Sequence, residues 1–595
     1  MKPNMFCKAA LALGLAVAAT ALPLAAAPAP TAVELQCGVK VPLRDGVQLQ
    51  ATLYRPQGQK DPLPCVVTMT PYMAQSYHER GMYFAANGYV FATIDVRGRG
   101  NSGGDFRPFL QEGQDGHDVV EWMARQSYCN GKVTMWGGSY AGYDQWATAR
   151  EKPPHLATIV PVAAVQPGLD YPMRNNIFYP YDMRWLTLVS GKLAQDTLFG
   201  DSTMWTGLFR SLYEAHKPFA TLDTHVGNPS PIFQEWISHP QQDEYWDRMN
   251  LSPAQMAALD LPILTVTGHY DGDQPGALAF YGQHLQAATP AAREKHFLII
   301  GPWDHAGTRT PQPEYAGLKL GAASLLDMNA LHRDWYDWTM KSGPKPAFLK
   351  DRVAYYVMGP DQWRYAPTLE AVTAEHRPLY LGSDNGRAND VYASGRLESD
   401  ARGKRSGSDS YRYDPLDTSF AAGDASDSES ELISQSPVLR RNGKQLIYHS
   451  APLEKDTEVT GFFRLSAWLE LDQPDTDFGV DIYAIGPDGG SVLLTTDVLR
   501  ARYRESLRNA KPVTPGKAER YEFNRFTFIS RQLKQGSRIR LVIGPINHFN
   551  MQKNYNSGGV VAQESGKDAR PVTVRLLHDA KHPSALYMPI GAGAK

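Results

Sequence analysis

Cysteine, net charge and long apolar stretches are all scarce in this chain. Only 4 of its 595 residues are cysteine, and its formal net charge at neutral pH is −2. Both signs of charge are spread along the sequence, so no basic surface for a phosphate backbone is predicted and nucleic acid is excluded as a partner. Beyond the N-terminus no segment approaches the roughly 18 apolar residues that a transmembrane helix needs, so we expect no membrane span.

Patterns that would hold a metal or a cofactor are also missing. The segment Tyr77 to Met82 does not complete an H-E-x-x-H motif, and no cysteine or histidine cluster has ligand spacing, so we expect no metal. Residues 98–103 fit the pattern G-x-G-x-x-G after a predicted strand. The residues that follow contain Pro108 and no helical period, whereas a dinucleotide site needs a helix that opens inside the motif. We therefore expect no cofactor.

The N-terminus has the pattern of a secretory signal peptide. Lys2 and Lys8 precede a largely apolar run over residues 9–22, and the alanines at 25–27 offer a small-residue cleavage site. We interpret residues 1–27 as a signal peptide and expect the mature protein to be periplasmic or secreted.

Loss of that segment would remove Cys7 and leave Cys37, Cys65 and Cys129. An odd number of cysteines in an oxidising compartment leaves two readings open. Cys65 and Cys129 form a disulfide if their strands are neighbours, or all three cysteines are buried free thiols.

A serine between a predicted strand and a predicted helix is the most informative feature that is present. Residues 132–136 read as a buried strand, 143–150 read as a helix, and Ser139 lies in the turn between them. Gly137 and Ala141 are small enough to let strand and helix approach each other at this turn. The pattern is a G-x-S-x-G nucleophile elbow with alanine in the last position, so Ser139 is the candidate nucleophile.

An acid and a histidine follow in the chain order that such hydrolases use, which is Ser, then Asp or Glu, then His. Asp271 follows an apolar strand over residues 261–268, and His305 follows the strand His296 to Ile300. Taken alone, each residue has a plausible structural interpretation, Asp271 as part of an Asp-Gly turn and His305 as a capping or loop histidine. Because the carboxyl ends of parallel strands share one edge, we expect both to meet Ser139 there.

The pattern of elements divides the chain. Strands alternate with helical stretches over residues 28–165 and 261–345, which predicts a parallel α/β sheet. Residues 166–260 lose the strands and are dense in aromatics at helical spacing, which predicts an inserted helical cap. Within 346–595 a polar stretch over residues 382–431 reads as a linker, and short strands after it predict an antiparallel β-sandwich.

Several motifs together resemble the cocaine esterase family of serine hydrolases, which includes α-amino-acid ester hydrolases, glutaryl acylases and X-Pro dipeptidyl-peptidases. They are Asp95 to Gly104, the elbow at 137–142, Tyr270-Asp271-Gly272, Gly301-Pro302-Trp303-Asp304-His305, Leu446 to Leu453, Thr460-Gly461 and Asp475 to Phe478. The resemblance implies an α/β hydrolase with a helical cap and a C-terminal jelly-roll of the galactose-binding-like type.

The resemblance also implies an oxyanion hole formed by the Tyr72 hydroxyl and the backbone N–H of Tyr140. In amino-acid ester hydrolases two acids follow the triad aspartate and help bind the substrate's α-ammonium. Here only Asp273 is acidic, because Gln274 departs from the pattern, and Asp170 is a candidate second acid.

The function expected from these residues is hydrolysis of ester or amide acyl bonds through a Ser-His-Asp triad and an acyl-enzyme. The expected partner is a small ester, an amide or a short peptide, and α-amino acyl substrates are one option. Two alternatives remain: an X-Pro dipeptidyl-peptidase, or a non-catalytic secreted protein that binds carbohydrate. The sequence leaves the oligomeric state open, and a homo-oligomer is compatible with it.

Overall fold

The computed structural model describes residues 32–384, 386–400, 407–421 and 432–593. The predicted signal peptide and Cys7 lie outside these residues. Within the described part of the chain, no helix is both long enough and apolar enough to cross a membrane.

The first part of the chain alternates strands and helices as predicted. Its elements are β1 (Val33–Pro42), β2 (Gln48–Pro56), β3 (Leu63–Thr70), α1 (His78–Ala86), β4 (Val90–Asp95), α2 (Glu112–Ala124), β5 (Cys129–Gly138), α3 (Tyr140–Arg150) and β6 (Leu156–Val162). Strands β1 and β2 form an antiparallel hairpin joined through the Asp45-Gly46 turn.

The next part is mainly helical. After two short strands it consists of helices that are rich in buried tryptophan, tyrosine and phenylalanine. The elements are β7 (Met173–Arg174), β8 (Ile177–Phe178), α4 (Tyr181–Leu188), α5 (Asp196–Gly200), α6 (Ser202–Glu214), α7 (Leu222–His225), α8 (Pro231–Ile237), α9 (Glu244–Asp247) and α10 (Pro253–Ala257). Their aromatics pack with Phe109, Tyr140 and Tyr143 in one core, which joins this region to the helix that follows Ser139.

The next part adds four strands to the first sheet and forms one separate two-stranded hairpin. The elements are β9 (Ile263–Tyr270), α11 (Gln274–Ala287), α12 (Pro290–Arg293), β10 (His296–Asp304), β11 (Glu314–Tyr315), β12 (Leu318–Lys319), α13 (Met328–Lys341), β13 (Val353–Val357) and β14 (Gln362–Ala366). The 10-stranded sheet has the order β1-β2-β4-β3-β5-β6-β9-β10-β13-β14. Its central pairs, from β4–β3 to β10–β13, are parallel, so β3, β5, β9 and β10 end at the same edge.

This sheet continues past residue 345, because β13 pairs with β10 and β14 pairs with β13.

Short 3₁₀ turns lie at Ala74–Tyr77, Phe219–Thr221, Ala322–Ser324, Glu370–Val372, Thr418–Ala421, Ala501–Tyr503 and Gly566–Asp568.

The C-terminal part forms a second sheet system of 13 strands. Its elements are β15 (Thr373–Gly382), β16 (Gly395–Glu398), β17 (Ser408–Tyr413), α14 (Ser436–Arg440), β18 (Leu446–Ser450), β19 (Thr457–Gly461), β20 (Arg464–Leu471), β21 (Asp477–Ile485), β22 (Ser491–Arg500), β23 (Glu519–Phe523), β24 (Ile529–Leu533), β25 (Arg538–Pro545), β26 (Val572–Leu577) and β27 (Ala585–Gly591). All its pairings are antiparallel except β16 with β18.

The prediction that residues 382–431 are only a linker is wrong in part. Strands β16 and β17 lie inside this stretch and pair with β15, β18 and β26. In β17 buried and exposed side chains alternate, since Tyr411 and Tyr413 are buried whereas Arg412 is exposed. This alternation is clear only once the burial of each residue is known. Many polar neighbours hid this short period-2 pattern in the sequence.

The strand order decides between the two interpretations of the cysteines. Cys65 on β3 and Cys129 at the start of β5 form a disulfide across neighbouring strands, with a Cα–Cα distance of 5.9 Å. Cys37 is free and exposed, so the alternative of three buried free thiols is wrong.

Candidate active site

Ser139 occupies a sharp turn between β5 and α3. Its backbone has φ 62° and ψ −124°, a left-handed conformation that costs energy for a residue with a Cβ atom. The close approach predicted around it is present, because a Cβ on Gly137 would lie 2.5 Å from the Cβ of Ala141. A Cβ on Gly142 would lie 2.6 Å from the carbonyl oxygen of Val162. The turn therefore holds the serine at the carboxyl edge of the sheet, where it lines a cavity.

Asp271 and His305 follow β9 and β10 at that same edge. The Nδ1 atom of His305 lies 2.7 Å from Oδ1 of Asp271. The Asp271 carboxylate also accepts hydrogen bonds from the Thr267 hydroxyl at 2.9 Å and from the Asp273 N–H at 3.0 Å. Burial raises the pKa of Asp271, but the imidazole and these donors outweigh it and leave this pKa below its ordinary value. Asp271 is therefore held as a carboxylate in a fixed orientation.

The pKa and the orientation of the His305 imidazole both suit it to accept a proton. Burial lowers its pKa, but the charges of Asp273 and Asp271 outweigh burial, so the pKa lies above the ordinary value. Because Nδ1 faces Asp271, the ring offers Nε2 to the cavity that Ser139 also lines. This arrangement suits a general base whose tautomer is set by the carboxylate.

The two tyrosines predicted as oxyanion donors also lie at this edge. The Tyr72 hydroxyl accepts a hydrogen bond from Nε1 of Trp185 at 2.9 Å, and Tyr72 lines the same cavity as Ser139. Burial raises the pKa of Tyr72, so the phenol keeps its proton as a donor. Tyr140 is the first residue of α3, and its N–H has no acceptor within the helix.

The two predicted substrate-binding acids line the cavity but differ in their partners. Asp170 is buried and accepts N–H bonds from Gln166 at 2.9 Å and Gly276 at 2.6 Å. Asp273 lies with Oδ2 3.6 Å from Nδ1 of His305. Burial, together with the charge of Asp271, raises the pKa of Asp273 to about 6, although His305 opposes this. Asp273 is therefore the acid that is more available to a ligand.

Asp271, Asp273 and His305 are the group of possible metal ligands found among the described residues, with ligand atoms within 4.8 Å of one another. A metal ion bound there through Nδ1 would have to displace the proton shared by His305 and Asp271.

The G-x-G-x-x-G stretch at 98–103 is followed by turns, and the next helix begins only at Glu112. Its buried Arg99 donates to the carbonyl oxygens of Pro71 at 2.9 Å and Val189 at 2.6 Å. The stretch thus supports the loop that carries Tyr72.

Sequence reasoning missed Arg309, which packs against the elbow. A Cβ on Gly138 would lie 2.5 Å from Nη1 of Arg309 and 2.7 Å from its Cδ, so glycine at 138 makes room for this side chain. Nη1 is buried and has no hydrogen-bond partner among the described residues. The charge of Arg309 lowers the pKa of both His305 and Asp273. Only the tertiary structure brings 138 and 309 together.

Replacing Arg309 by methionine is expected to shift the acid limb of kcat/KM to higher pH. Without the guanidinium charge the pKa of His305 rises, so the imidazole stays protonated, and unable to accept the serine proton, to a higher pH. The measurement is a pH–rate profile on an ester that lacks ionisable groups. Arg309→Lys, which keeps the charge, should retain the wild-type limb; an unmoved limb in Arg309→Met would contradict the expectation.

The cavity has a volume of about 790 Å³ and is built from all three parts of the chain. The edge of the first sheet contributes Ser139, Asp271 and His305. The helical part contributes Tyr181 and Trp185, and the C-terminal part contributes Asp481 and Asn547. A cavity of this size accommodates a small-molecule ligand or a short peptide.

Two family models match the sequence. One, described as X-Pro dipeptidyl-peptidase (S15 family), covers residues 45–307, and the other, described as the X-Pro dipeptidyl-peptidase C-terminal non-catalytic domain, covers residues 348–586. Cocaine esterase from Rhodococcus sp. (strain MB1 Bresler) is 28% identical over 589 residues, which is 93% of this chain and 98% of that protein.

Solved structures share the fold. An α-amino acid ester hydrolase superposes with a TM-score of 0.81 at 21% identity, over 96% of this chain and 99% of that one. An aminopeptidase from the marine sediment archaeon Thaumarchaeota archaeon superposes with a TM-score of 0.78 at 20% identity, over 95% and 97%. The predicted α/β hydrolase with a separate C-terminal part is therefore confirmed at the level of fold.

Proposed function

The chain belongs to the X-Pro dipeptidyl-peptidase-like (CocE/NonD) family and is a serine hydrolase of esters or peptides, and we propose that Ser139, His305 and Asp271 carry its reaction. The observation that supports this assignment is the 2.7 Å hydrogen bond between Asp271 and His305 beside a strained serine turn. Membership in an enzyme family disfavours the alternative of a non-catalytic carbohydrate-binding protein.

In the proposed reaction His305 Nε2 takes the Ser139 proton while Oγ attacks the carbonyl carbon of the substrate. The Tyr72 hydroxyl and the Tyr140 N–H donate to the oxyanion that forms, and His305 then passes the proton to the leaving group. Water, activated by the same imidazole, hydrolyses the acyl-enzyme to a carboxylic acid and regenerates the serine.

We also propose that the acyl half of the substrate carries an α-amino group bound by Asp273. The support is a carboxylate beside the reacting centre that no described cation pairs with except His305. Asp170 contributes negative charge to this site, but its oxygens already accept two backbone N–H bonds. An X-Pro dipeptidyl-peptidase, which the match over residues 45–307 favours, is a second candidate that also binds a free amine.

The remaining architecture is proposed on the same basis. The helices between 181 and 257 act as a cap over the carboxyl edge, since Tyr181 and Trp185 line the cavity. The catalytic unit comprises residues 32–165 and 261–366, and the antiparallel strands from β15 onward form a jelly-roll. The pattern over residues 1–27 supports export to the periplasm or the medium.

Labelling with a fluorophosphonate tests the nucleophile, because only an activated serine reacts with it. Mass spectrometry of the labelled protein should find the phosphonate on Ser139. The same preparation is then assayed on p-nitrophenyl esters and p-nitroanilides, each with and without a free α-amino group, and on an Xaa-Pro p-nitroanilide. A phosphonate on another serine would overturn the nucleophile, and equal rates on amino and desamino substrates would overturn the role of Asp273.

Replacing Tyr72 by phenylalanine is expected to lower kcat about 10²- to 10³-fold, the usual effect of losing one oxyanion donor. KM should change little, because the hydroxyl acts mainly on the charge that develops in the transition state. Steady-state kinetics on one p-nitrophenyl ester checks both values. Tyr181→Phe, at another tyrosine of the cavity wall, is the matched control and should retain kcat within a few-fold. A kcat within a few-fold of wild type in Tyr72→Phe would contradict the assignment.

A further inference from the structure

The C-terminal part forms one wall of the cavity through β21, β22 and β25. Asp481 on β21 pairs in register with Thr496 on β22 and with Val542 on β25, and all three residues line the cavity. A charged residue thus stands in the middle of this wall.

The Asp481 carboxylate has no hydrogen bond or ion pair with any residue in the described ranges, and it is only partly accessible. Burial raises its pKa to about 6, although the charges of Arg441 and Arg174 oppose this. A carboxylate withdrawn from water needs a hydrogen-bond donor. The cavity that it faces is where such a donor can come from.

Arg174 lies beside the same position of the wall. Its guanidinium donates to the carbonyl oxygen of Thr496 at 2.7 Å and to the Thr496 hydroxyl at 3.3 Å. It makes no ion pair of 4 Å or less with any acid in the part of the chain that the structure describes, Asp481 included. The two opposite charges therefore flank Thr496 and face the cavity without neutralising each other directly. The guanidinium has further N–H groups beyond the two that Thr496 engages.

Two asparagines after β25 add unpaired polar atoms. Asn547 is only 3% exposed and its Oδ1 has no partner among the described residues. Nδ2 of Asn550 is likewise buried and unpaired within that part of the chain. Both residues line the cavity. Buried amide atoms are rarely left unsatisfied, so this region is suited to a polar ligand rather than an apolar one.

We propose that Arg174 and Asp481 form a leaving-group subsite, in which the guanidinium binds a carboxylate and the Asp481 carboxylate binds a hydrogen-bond donor of the same group. The substrates are then amides whose leaving group is an amino acid or a short peptide, rather than esters of simple alcohols. This inference rests on the proposed function, because it assigns the other half of the substrate whose acyl half reacts at Ser139.

The first test measures binding to the Ser139→Ala protein by calorimetry. Alanylglycine, which ends in a carboxylate, is compared with alanylglycinamide, which has the same acyl half and no charge at that end. We expect the carboxylate to bind at least about tenfold more tightly, the size of one charge-assisted hydrogen bond. Adding Arg174→Gln should bring the ratio to about 1, and Arg174→Lys should keep part of it. Arg412→Gln, at an exposed arginine of β17, is the control and should keep the full ratio.

The second test concerns Asp481. Alanyl-lysine is compared with alanyl-norleucine, which lacks only the terminal ammonium group. The lysine peptide should bind more tightly, and Asp481→Asn should remove that difference without removing the preference for a carboxylate. Equal binding of all four peptides to Ser139→Ala would overturn the subsite.

The outcomes separate the two proposals. Phosphonate labelling of Ser139 together with equal peptide binding would retain the hydrolase and reject the subsite. Selective binding of carboxylates without labelling of Ser139 would retain a carboxylate-binding site but reject both the nucleophile and the leaving-group role. The comparison of alanylglycine with its amide needs no variant in the subsite, so it remains decisive even if Arg174→Gln does not fold.

Discussion

Replacing Ser139 by alanine is expected to lower kcat by about 10⁵- to 10⁶-fold, because it removes the only atom that forms the acyl-enzyme. The residual rate would come from the oxyanion donors and from substrate binding, which the change leaves in place. The measurement is steady-state kinetics on a p-nitrophenyl ester, with a pre-steady-state burst of p-nitrophenol in the wild type and none in the variant.

Ser238→Ala is the matched control, since this exposed serine directly follows α8 and, within the described residues, its hydroxyl donates only to the Glu235 carbonyl oxygen. It should retain wild-type activity. The Ser139→Ala protein should also unfold at about the same temperature as the wild type, because alanine keeps the Cβ atom and the backbone of the turn is unchanged. Retention of a tenth of the wild-type kcat by Ser139→Ala would reject Ser139 as nucleophile.

Replacing Asp271 by asparagine is expected to lower kcat by about 10³- to 10⁴-fold. The amide is isosteric, but it can present an N–H to Nδ1 and favour the tautomer in which Nε2 carries the proton. The variant also loses a negative charge that raises the pKa of His305, so the acid limb of the pH profile should move to lower pH. The profile and the fall in kcat are measured on the same ester.

Asp273→Asn is the natural comparison, because its carboxylate is 3.6 Å from the same nitrogen whereas that of Asp271 is 2.7 Å away. On a substrate without an α-amino group, Asp273→Asn should reduce kcat much less than Asp271→Asn does. On a substrate with that group it should raise KM. If the two variants were reversed in severity on the desamino ester, Asp273 would be the acid that orients His305.

Much of the fold around the site could be predicted because its signals are local. The turn at Ser139 needs small neighbours at 137 and 141, and that requirement is visible in the sequence itself. Apolar runs of strand length before Asp271 and His305 placed both residues at strand ends, and the parallel pairing of β9 with β10 brings those ends together.

Other features could not be predicted, because they depend on residues far apart in the chain. The space for Arg309 is made by Gly138, and the loop of Tyr72 is held by Arg99 through the carbonyl oxygen of Pro71. Strands β16 and β17 were hidden in a polar stretch, since both are short and carry polar side chains on their more exposed face.

Strand periodicity and turn chemistry act over a few residues, so the order of the proposed nucleophile, acid and histidine, the class of fold and the family could all be inferred from the sequence. Long-range packing, in contrast, sets which carboxylate bonds His305, which cysteines pair and which side chains complete the cavity. Asp481 and Arg174 are separated by 307 positions in the sequence and meet beside Thr496 because β21, β22 and the segment before α4 pack together. Contacts of this kind depend on long-range packing, which no local pattern records.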